Sequence, residues 1–159
     1  MNGEFNKAFE QALRFLKYSD RTVHEMKDKL RNKGFSENTV NNTAEKLKKI
    51  GLLDDGKFAE RWIRGKLRSR PIGKRLIQQQ LRLKGIHPEV ISEKLELIYS
   101  EFEKTDGIKE IIRKQAVKYK SLDKIELRKK LFSFLIRRGF EYEECVSNVE
   151  YFVKNSGTR

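Results

Sequence analysis

The sequence has little cysteine and histidine, and each shortage excludes a class of structure or function. Cys145 is the only cysteine, so no disulfide can form within the chain and nothing indicates an oxidising compartment. His24 and His87, the only histidines, lie far apart and with Cys145 give no metal-ligand spacing. Because no nucleophile, base and metal ligands occur in a catalytic pattern, the sequence predicts a non-enzymatic protein without a cofactor.

Long apolar segments are missing as well. No apolar run approaches the roughly 20 residues that a membrane-spanning helix needs. The first nine residues also lack the basic-then-apolar order of a signal peptide. The chain is therefore expected to be cytoplasmic.

Positive charge, by contrast, is in excess. The chain has 36 Lys and Arg against 23 Asp and Glu, a formal net charge of +13. This excess favours a polyanionic partner, with nucleic acid the first candidate, an anionic membrane surface the second and an acidic protein groove the third. Charged and hydrophobic residues each make up 37%, proportions that suit small helical bundles placed side by side better than one compact globule.

Three glycines mark an internal repeat. Gly34, Gly85 and Gly139 lie 51 and 54 residues apart, and matching residue types surround each of them. Large aliphatic residues precede each glycine by eight and four positions, and a base precedes it by one. Apolar residues, counting Cys145, follow it by one, six and thirteen positions. In that order the matched sets are Met26, Ile77 and Leu131; Leu30, Leu81 and Leu135; Lys33, Lys84 and Arg138; Phe35, Ile86 and Phe140; Val40, Ile91 and Cys145; Leu47, Ile98 and Phe152. The alignment predicts three copies of one unit, at residues 1–53, 54–103 and 104–159.

Each copy is predicted to be a three-helix bundle. Only two prolines occur, and apolar residues recur at the three- and four-residue spacing of helices with one buried face. First helices are predicted at about 6–18, 56–68 and 106–118, with Val117 facing inward. The middle helices are predicted to end at the repeat glycines, and Thr22 with Glu25 forms a capping box. The predicted fold is all-α, with three tandem three-helix-bundle repeats forming an elongated or curved rod.

A partial phosphate-binding motif lies at the start of the second copy. The segment from Gly51 to Lys57 has the glycine–glycine–lysine spacing of such a loop, but the Ser or Thr that must follow is Phe58. A predicted helix, rather than a strand, also precedes it. We interpret Gly51 as the end of a helix and Asp54 or Asp55 as the cap of the next helix.

One stretch of the chain contains basic residues and no acidic residue. No Asp or Glu occurs from Arg61 to Pro88, whereas solvated helix faces usually mix the two signs. The stretch therefore predicts a surface for a polyanion. The residues assigned to contact with DNA or another partner are Arg61, Arg64, Arg68, Arg70, Lys74, Arg75, Arg82 and Lys84. Reversing Arg64, Arg68 and Arg75 to Glu is expected to leave helicity and melting nearly unchanged. A weaker basic cluster, from Lys118 to Lys130, is interrupted by acids.

The motifs of the three copies also match a known pattern over about residues 8–152. Its most specific part is the central sequence GLLDDGKFA at 51–59, GKRLI at 73–77 and LRLKGI at 81–86. The first copy matches at Thr22, Glu25, Met26, Lys29, Leu30, Lys33 and Gly34, and the third more loosely at Leu131, Leu135, Arg138, Gly139 and Phe140. With these residues the chain resembles the RecX family of bacterial recombinase regulators.

The resemblance implies a cytoplasmic protein without enzymatic activity, built from three consecutive three-helix repeats. It implies binding to the RecA recombinase, along the groove of its filament on single-stranded DNA, and inhibition of the recombinase's ATPase and strand exchange. This would place the chain in DNA recombination, DNA repair and the SOS response. Direct binding of single-stranded and double-stranded DNA is also implied for some members. The chain itself is expected to be a monomer.

Two alternatives stay open at this point. A general DNA-binding protein without a recombinase partner would bind naked DNA with a steep dependence on salt. A helical scaffold for another acidic protein would bind DNA only weakly.

Overall fold

The computed structural model describes residues 2–156, and within that range the chain forms nine α-helices, one short 3₁₀ turn and no strand. The helices are α1 (Asn2–Tyr18), α2 (Val23–Asn32), α3 (Glu37–Lys49), α4 (Asp55–Ser69), α5 (Lys74–Leu83), α6 (Pro88–Lys104), α7 (Gly107–Ala116), α8 (Lys124–Arg137) and α9 (Tyr142–Asn155), with the 3₁₀ turn at Val117–Tyr119. The helices follow one another in three groups of three. The predicted all-α class with tandem three-helix repeats is confirmed.

Four of the helices, α2, α3, α4 and α8, begin where a short polar side chain accepts from a backbone N–H of the first turn. Thr22 and Glu25 form the predicted capping box of α2, with the Glu25 N–H donating to Thr22 Oγ1 at 3.1 Å. Asp54 caps α4 by accepting from the Lys57 N–H at 3.0 Å. Pro88 is the first residue of α6, where its missing N–H removes no helical hydrogen bond.

The middle helices α2, α5 and α8 all end in the same motif. Gly34, Gly85 and Gly139 have positive φ angles of 87°, 77° and 83°, a conformation that side-chain-bearing residues avoid. The apolar residue after each glycine donates its N–H to the carbonyl five residues earlier, for example Phe35 to Leu30 at 3.3 Å. This pair of features defines a Schellman cap. The repeat glycine therefore ends the middle helix of each copy through hydrogen bonds within that copy.

Burial follows the columns of the sequence repeat. The aliphatic residues eight and four positions before the glycines are fully buried: Met26, Ile77 and Leu131, and Leu30, Leu81 and Leu135. Ile86 and Phe140 are also buried, and Phe35 packs against the core of α1–α3 in a partly buried position. Each fully buried aliphatic side chain stabilises the fold by about 1.5–3 kcal/mol. The residue types that recur in the three copies are therefore mainly those of the buried core.

Backbone contacts divide the chain into two compact units. The first contains the described residues up to Trp62 together with Gln80–Lys94. The second contains Ile63–Gln79 and the described residues from Leu95 onward. Helices α4, α5 and α6 each contribute residues to both units, so the predicted repeat boundaries at 53/54 and 103/104 do not coincide with those of the compact units and stay a prediction.

The start of the third repeat differs from its sequence-based prediction. Val117, predicted to face inward, is 59% exposed, because α7 ends at Ala116 and the chain continues as a 3₁₀ turn. A 3₁₀ turn has three residues per turn rather than 3.6, so the α-helical spacing no longer places Val117 on the buried face. Ile108, Ile111 and Ile112 are buried as predicted.

The single cysteine offers a direct test of this core. Cys145 is fully buried, and burial raises the pKa of its thiol to about 11. A thiol with that pKa is about one-thousandth thiolate at pH 8, against about a quarter for a free cysteine. We expect a disulfide reagent to leave the native protein unmodified at pH 8 and to modify one thiol per chain in denaturant. Rapid stoichiometric modification without denaturant would contradict this placement.

Candidate nucleic-acid interface

The eight basic residues assigned from the sequence are divided between the two compact units. The first unit holds Arg61, Arg82 and Lys84. The second unit holds Arg64, Arg68, Arg70, Lys74 and Arg75. The eight residues also differ in what their charged groups contact.

Four of the eight form ion pairs with acids that lie outside the acid-free stretch. In the first unit Arg61 pairs with Asp20 at 2.8 Å and Lys84 with Glu25 at 2.9 Å. In the second unit Arg64 pairs with Glu101 at 2.7 Å and Lys74 with Glu103 at 3.5 Å. The hydrogen bond from Arg64 holds the pKa of Glu101 below its ordinary value. The acid-free stretch is thus partly neutralised through space.

Arg75 is also engaged within the fold. Its guanidinium donates to the Ile136 carbonyl at 3.1 Å, near the end of α8, where helix carbonyls lack intrahelical partners and a cation is favoured. The role of this residue is at least partly structural. The remaining three predicted residues, Arg68, Arg70 and Arg82, have no carboxylate partner among residues 2–156.

Arg68 and Arg70 line a cleft of about 520 Å³ in the second unit. The end of α4 and the segment that follows it form one side, and α7 and α8 contribute most of the rest. Three further cations line the same cleft: Lys114, Lys118 and Arg138. The one acid in its lining, Glu110, lies 3.6 Å from Lys114 and 3.4 Å from Arg113. The cleft therefore has a large local excess of positive charge.

Arg138 is the most constrained of these cations. Its guanidinium lies over the Phe134 ring, 4.7 Å from the centroid, and donates to the Pro71 carbonyl at 3.1 Å. Burial lowers the pKa of Arg138 below its usual range, and the charge of Arg70 lowers it further. Two guanidinium groups therefore repel each other at a site where no described carboxylate neutralises them. An anion in the cleft would relieve this repulsion.

Apolar side chains complete the lining. Leu67, Phe102, Ile111 and Phe134 lie in the cleft beside the cations. Guanidinium groups bind phosphate through two parallel hydrogen bonds. Aromatic rings and the exposed faces of guanidinium groups stack on nucleobases. The cleft thus combines the two chemistries that single-stranded nucleic acid requires.

The sequence signalled only part of this site. Arg68 and Arg70 come from the acid-free stretch and Lys118 from the weaker basic cluster. Arg138 was named as the basic residue before the third repeat glycine and as part of the third copy's match, but not as a binding residue, and nothing in the sequence singled out Lys114. These cations come from separate parts of the chain, so only the fold brings them together.

Neither a three-ligand metal site nor a membrane-spanning helix occurs among the described residues. No group of three or more histidine, cysteine or acidic side chains within residues 2–156 could hold a metal ion. His24 lies 3.1 Å from Asp28 on the exposed surface of α2. In the same range no helix has the length and apolarity needed to cross a membrane. The fold and this site define a helical-repeat protein with a basic cleft.

Comparison with known proteins identifies the family. Profiles of the first, second and third three-helix domains of RecX match residues 8–47, 54–95 and 103–146. Regulatory protein RecX of Clostridium perfringens strain SM101 is 38% identical over 153 residues, covering 96% of this chain and 71% of that protein. Regulatory protein RecX of Finegoldia magna is 33% identical, covering 88% and 69%. The chain belongs to the RecX family of regulatory proteins, which is not a family of enzymes.

Solved structures of the family share the fold. The crystal structure of RecX from Lactobacillus salivarius superimposes with a TM-score of 0.87 over 95% of this chain and 97% of that one, at 24% identity. A second crystal structure of regulatory protein RecX has a TM-score of 0.78 at 25% identity, over 96% and 72%.

Proposed function

We propose that this protein binds the RecA recombinase filament on single-stranded DNA and inhibits its ATPase and strand exchange, with the basic cleft contacting DNA. Membership of the RecX family carries the proposal, since three domain profiles match in order along the chain. The protein would then act in the cytoplasm, in DNA recombination and repair and in the SOS response.

The charge of the chain supports a polyanionic partner. The net charge is +13, and a nucleoprotein filament presents both DNA phosphates and acidic protein surface. The cleft adds a specific feature, since Arg68, Arg70 and Lys118 have no described carboxylate partner. Unpaired cations can bind phosphate without first breaking an internal ion pair.

Inhibition of this kind needs no chemical step. A protein that occupies the filament groove excludes the second DNA from the site of strand exchange. It also shifts the filament toward whichever state it binds more tightly, and the size of that shift is set by the difference between the two affinities. The absence of a catalytic constellation in the sequence is consistent with such a role.

The proposal is tested with the DNA-dependent ATPase of a bacterial RecA recombinase on saturating single-stranded DNA. The protein is titrated at concentrations well below that of DNA binding sites. We expect ATPase to fall at these substoichiometric ratios, because one bound chain acts on a filament of many subunits.

A general DNA-binding protein would behave differently in the same assay. It can act only by competing for DNA, so ATPase would stay constant until the protein covered most of the DNA. That outcome would contradict recombinase regulation and leave DNA binding through the cleft as the better account.

A further inference from the structure

The middle helices of successive repeats are joined by the same contact at two places. In each contact the donor is the residue twelve positions before a repeat glycine. The acceptor is the carbonyl of the residue just before the next repeat glycine. In the first unit Thr22 Oγ1 donates to the Lys84 carbonyl at 2.7 Å. In the second unit the Gly73 N–H donates to the Arg138 carbonyl at 2.8 Å. The start of α2 thus contacts the end of α5, and the start of α5 contacts the end of α8.

Close packing accompanies each hydrogen bond. A methyl group built on Gly85 would overlap the side chain of His24, and one built on Gly139 would overlap Leu76. In the first unit Lys84 and Glu25 add an ion pair of 2.9 Å across the contact. We call this arrangement the helix joint. Its acceptor half is the basic residue and glycine that end a middle helix, and its donor half is the first turn of another middle helix.

One acceptor half is not used within the chain. Lys33 and Gly34, at the end of α2, match Lys84 and Gly85 in the repeat. The Lys33 carbonyl accepts no hydrogen bond from the described residues. Gly34 is exposed, and a methyl group built on it would meet nothing within 4 Å. The space that His24 fills beside Gly85, and Leu76 beside Gly139, is open beside Gly34.

One donor half is also unused. Asp123 caps α8 and Glu126 follows three positions later, the spacing of Thr22 and Glu25 at the start of α2. Asp123 lies sixteen positions before Gly139 rather than twelve, because α8 has 14 residues where α2 and α5 have 10. A carboxylate cannot donate a hydrogen bond, so the donor here is the Asp123 backbone N–H, as at Gly73, and it donates to no described residue. Ile125 occupies the position of His24, the residue that packs on Gly85, and it is 61% exposed. The Glu126 carboxylate has no ion-pair partner among residues 2–156. The first turn of α8 therefore exposes an apolar side chain and an unpaired acid.

From these two open halves we infer that the protein associates with itself head to tail. The first turn of α8 in one copy docks on Lys33 and Gly34 of a second copy, with Ile125 covering the glycine and Glu126 paired with Lys33. The occupant is a second copy because the chain carries both halves of a joint that it already forms twice internally. Such a contact is heterologous, so each added copy leaves another open half at either end. This inference revises the expected monomer, and it does not depend on recombinase binding.

The test follows backbone amide resonances of the full chain as its concentration rises from micromolar to millimolar. We expect the amides of Lys33 and Gly34 and those of Asp123 to Glu126 to shift together. Lys33→Glu and Glu126→Lys, each alone, place like charges across the joint and should weaken association about tenfold. Both residues are exposed, and each carries the charge that its helix end favours, so each variant should lose no more than about 4 °C in melting temperature.

The deciding measurement mixes the two variants. In an equimolar mixture the carboxylate introduced at position 33 of one chain faces the ammonium group introduced at position 126 of the other, so concentration-dependent shifts should return to the wild-type size. Lys49→Glu, the same charge change at another exposed residue, should leave the shifts as in the wild type. Amides that stay fixed with concentration, variants that behave like the wild type, or a mixture that fails to restore the shifts would each overturn the inference.

Discussion

Replacing Arg68, Arg70 and Lys118 together with glutamine is expected to weaken binding of single-stranded DNA about a hundredfold at 0.1 M salt. Each phosphate contact adds about 0.7 to the slope of log affinity against log salt for single strands, so the slope should fall by about 2. The replaced side chains have no described carboxylate partner. Their loss should therefore leave the melting temperature within about 2 °C of the wild-type value.

The matched control replaces Lys17, Lys46 and Lys49 with glutamine. These residues are exposed, they lie outside the cleft lining, and their replacement lowers the net charge by the same amount. The comparison is made by fluorescence titration at several salt concentrations. If both triple variants lose affinity equally, net charge alone governs binding and the cleft is not the DNA contact.

The structure also changes which residues make an informative variant. Reversing Arg64, Arg68 and Arg75 seemed harmless to the fold on the sequence alone. In the structure a glutamate at position 64 would face Glu101, 2.7 Å from the present guanidinium, and one at position 75 would face the Ile136 carbonyl. Loss of DNA binding in that variant could therefore come from local repacking, which the cleft triple variant avoids.

Much of the fold could be predicted because its signals are local. A glycine that ends a helix, a threonine with a glutamate three residues later, and apolar residues four apart each act within one or two turns of the chain. The burial of Met26, Leu30 and their repeat equivalents follows from such spacing. One missed boundary, at Val117, lies where the helix changes type, and another is the start of α1, which begins at Asn2 rather than at about residue 6.

The candidate site was less predictable because charge pairing acts through space. Asp20 and Glu101 form ion pairs with basic side chains more than thirty residues away in sequence. Conversely, Lys114 and Arg138 reach the cleft from α7 and from the end of α8. The order of charges along the chain shows neither the ion pairs nor the cleft. The sequence could therefore indicate a polyanionic partner, but not which cations are available to bind it.

The close contact between α5 and α8 leads to the largest expected change in stability. Gly73→Ala should lower the free energy of unfolding by about 3 kcal/mol, since a methyl group there would overlap the backbone of Gly139 and Phe140. The backbone cannot rotate away as a side chain can, so α5 must shift and the hydrogen bond from Gly73 to the Arg138 carbonyl is lost or stretched. Urea denaturation monitored by circular dichroism measures the change.

Gly65→Ala is the matched control, because it makes the same chemical change at an exposed glycine inside α4. A methyl group built there meets nothing within 4 Å, and alanine favours the helix over glycine by about 1 kcal/mol. The two substitutions should therefore move the urea midpoint in opposite directions. A Gly73→Ala variant as stable as the wild type would mean that α5 and α8 are not held in close contact. The second unit would then no longer contain an example of the helix joint.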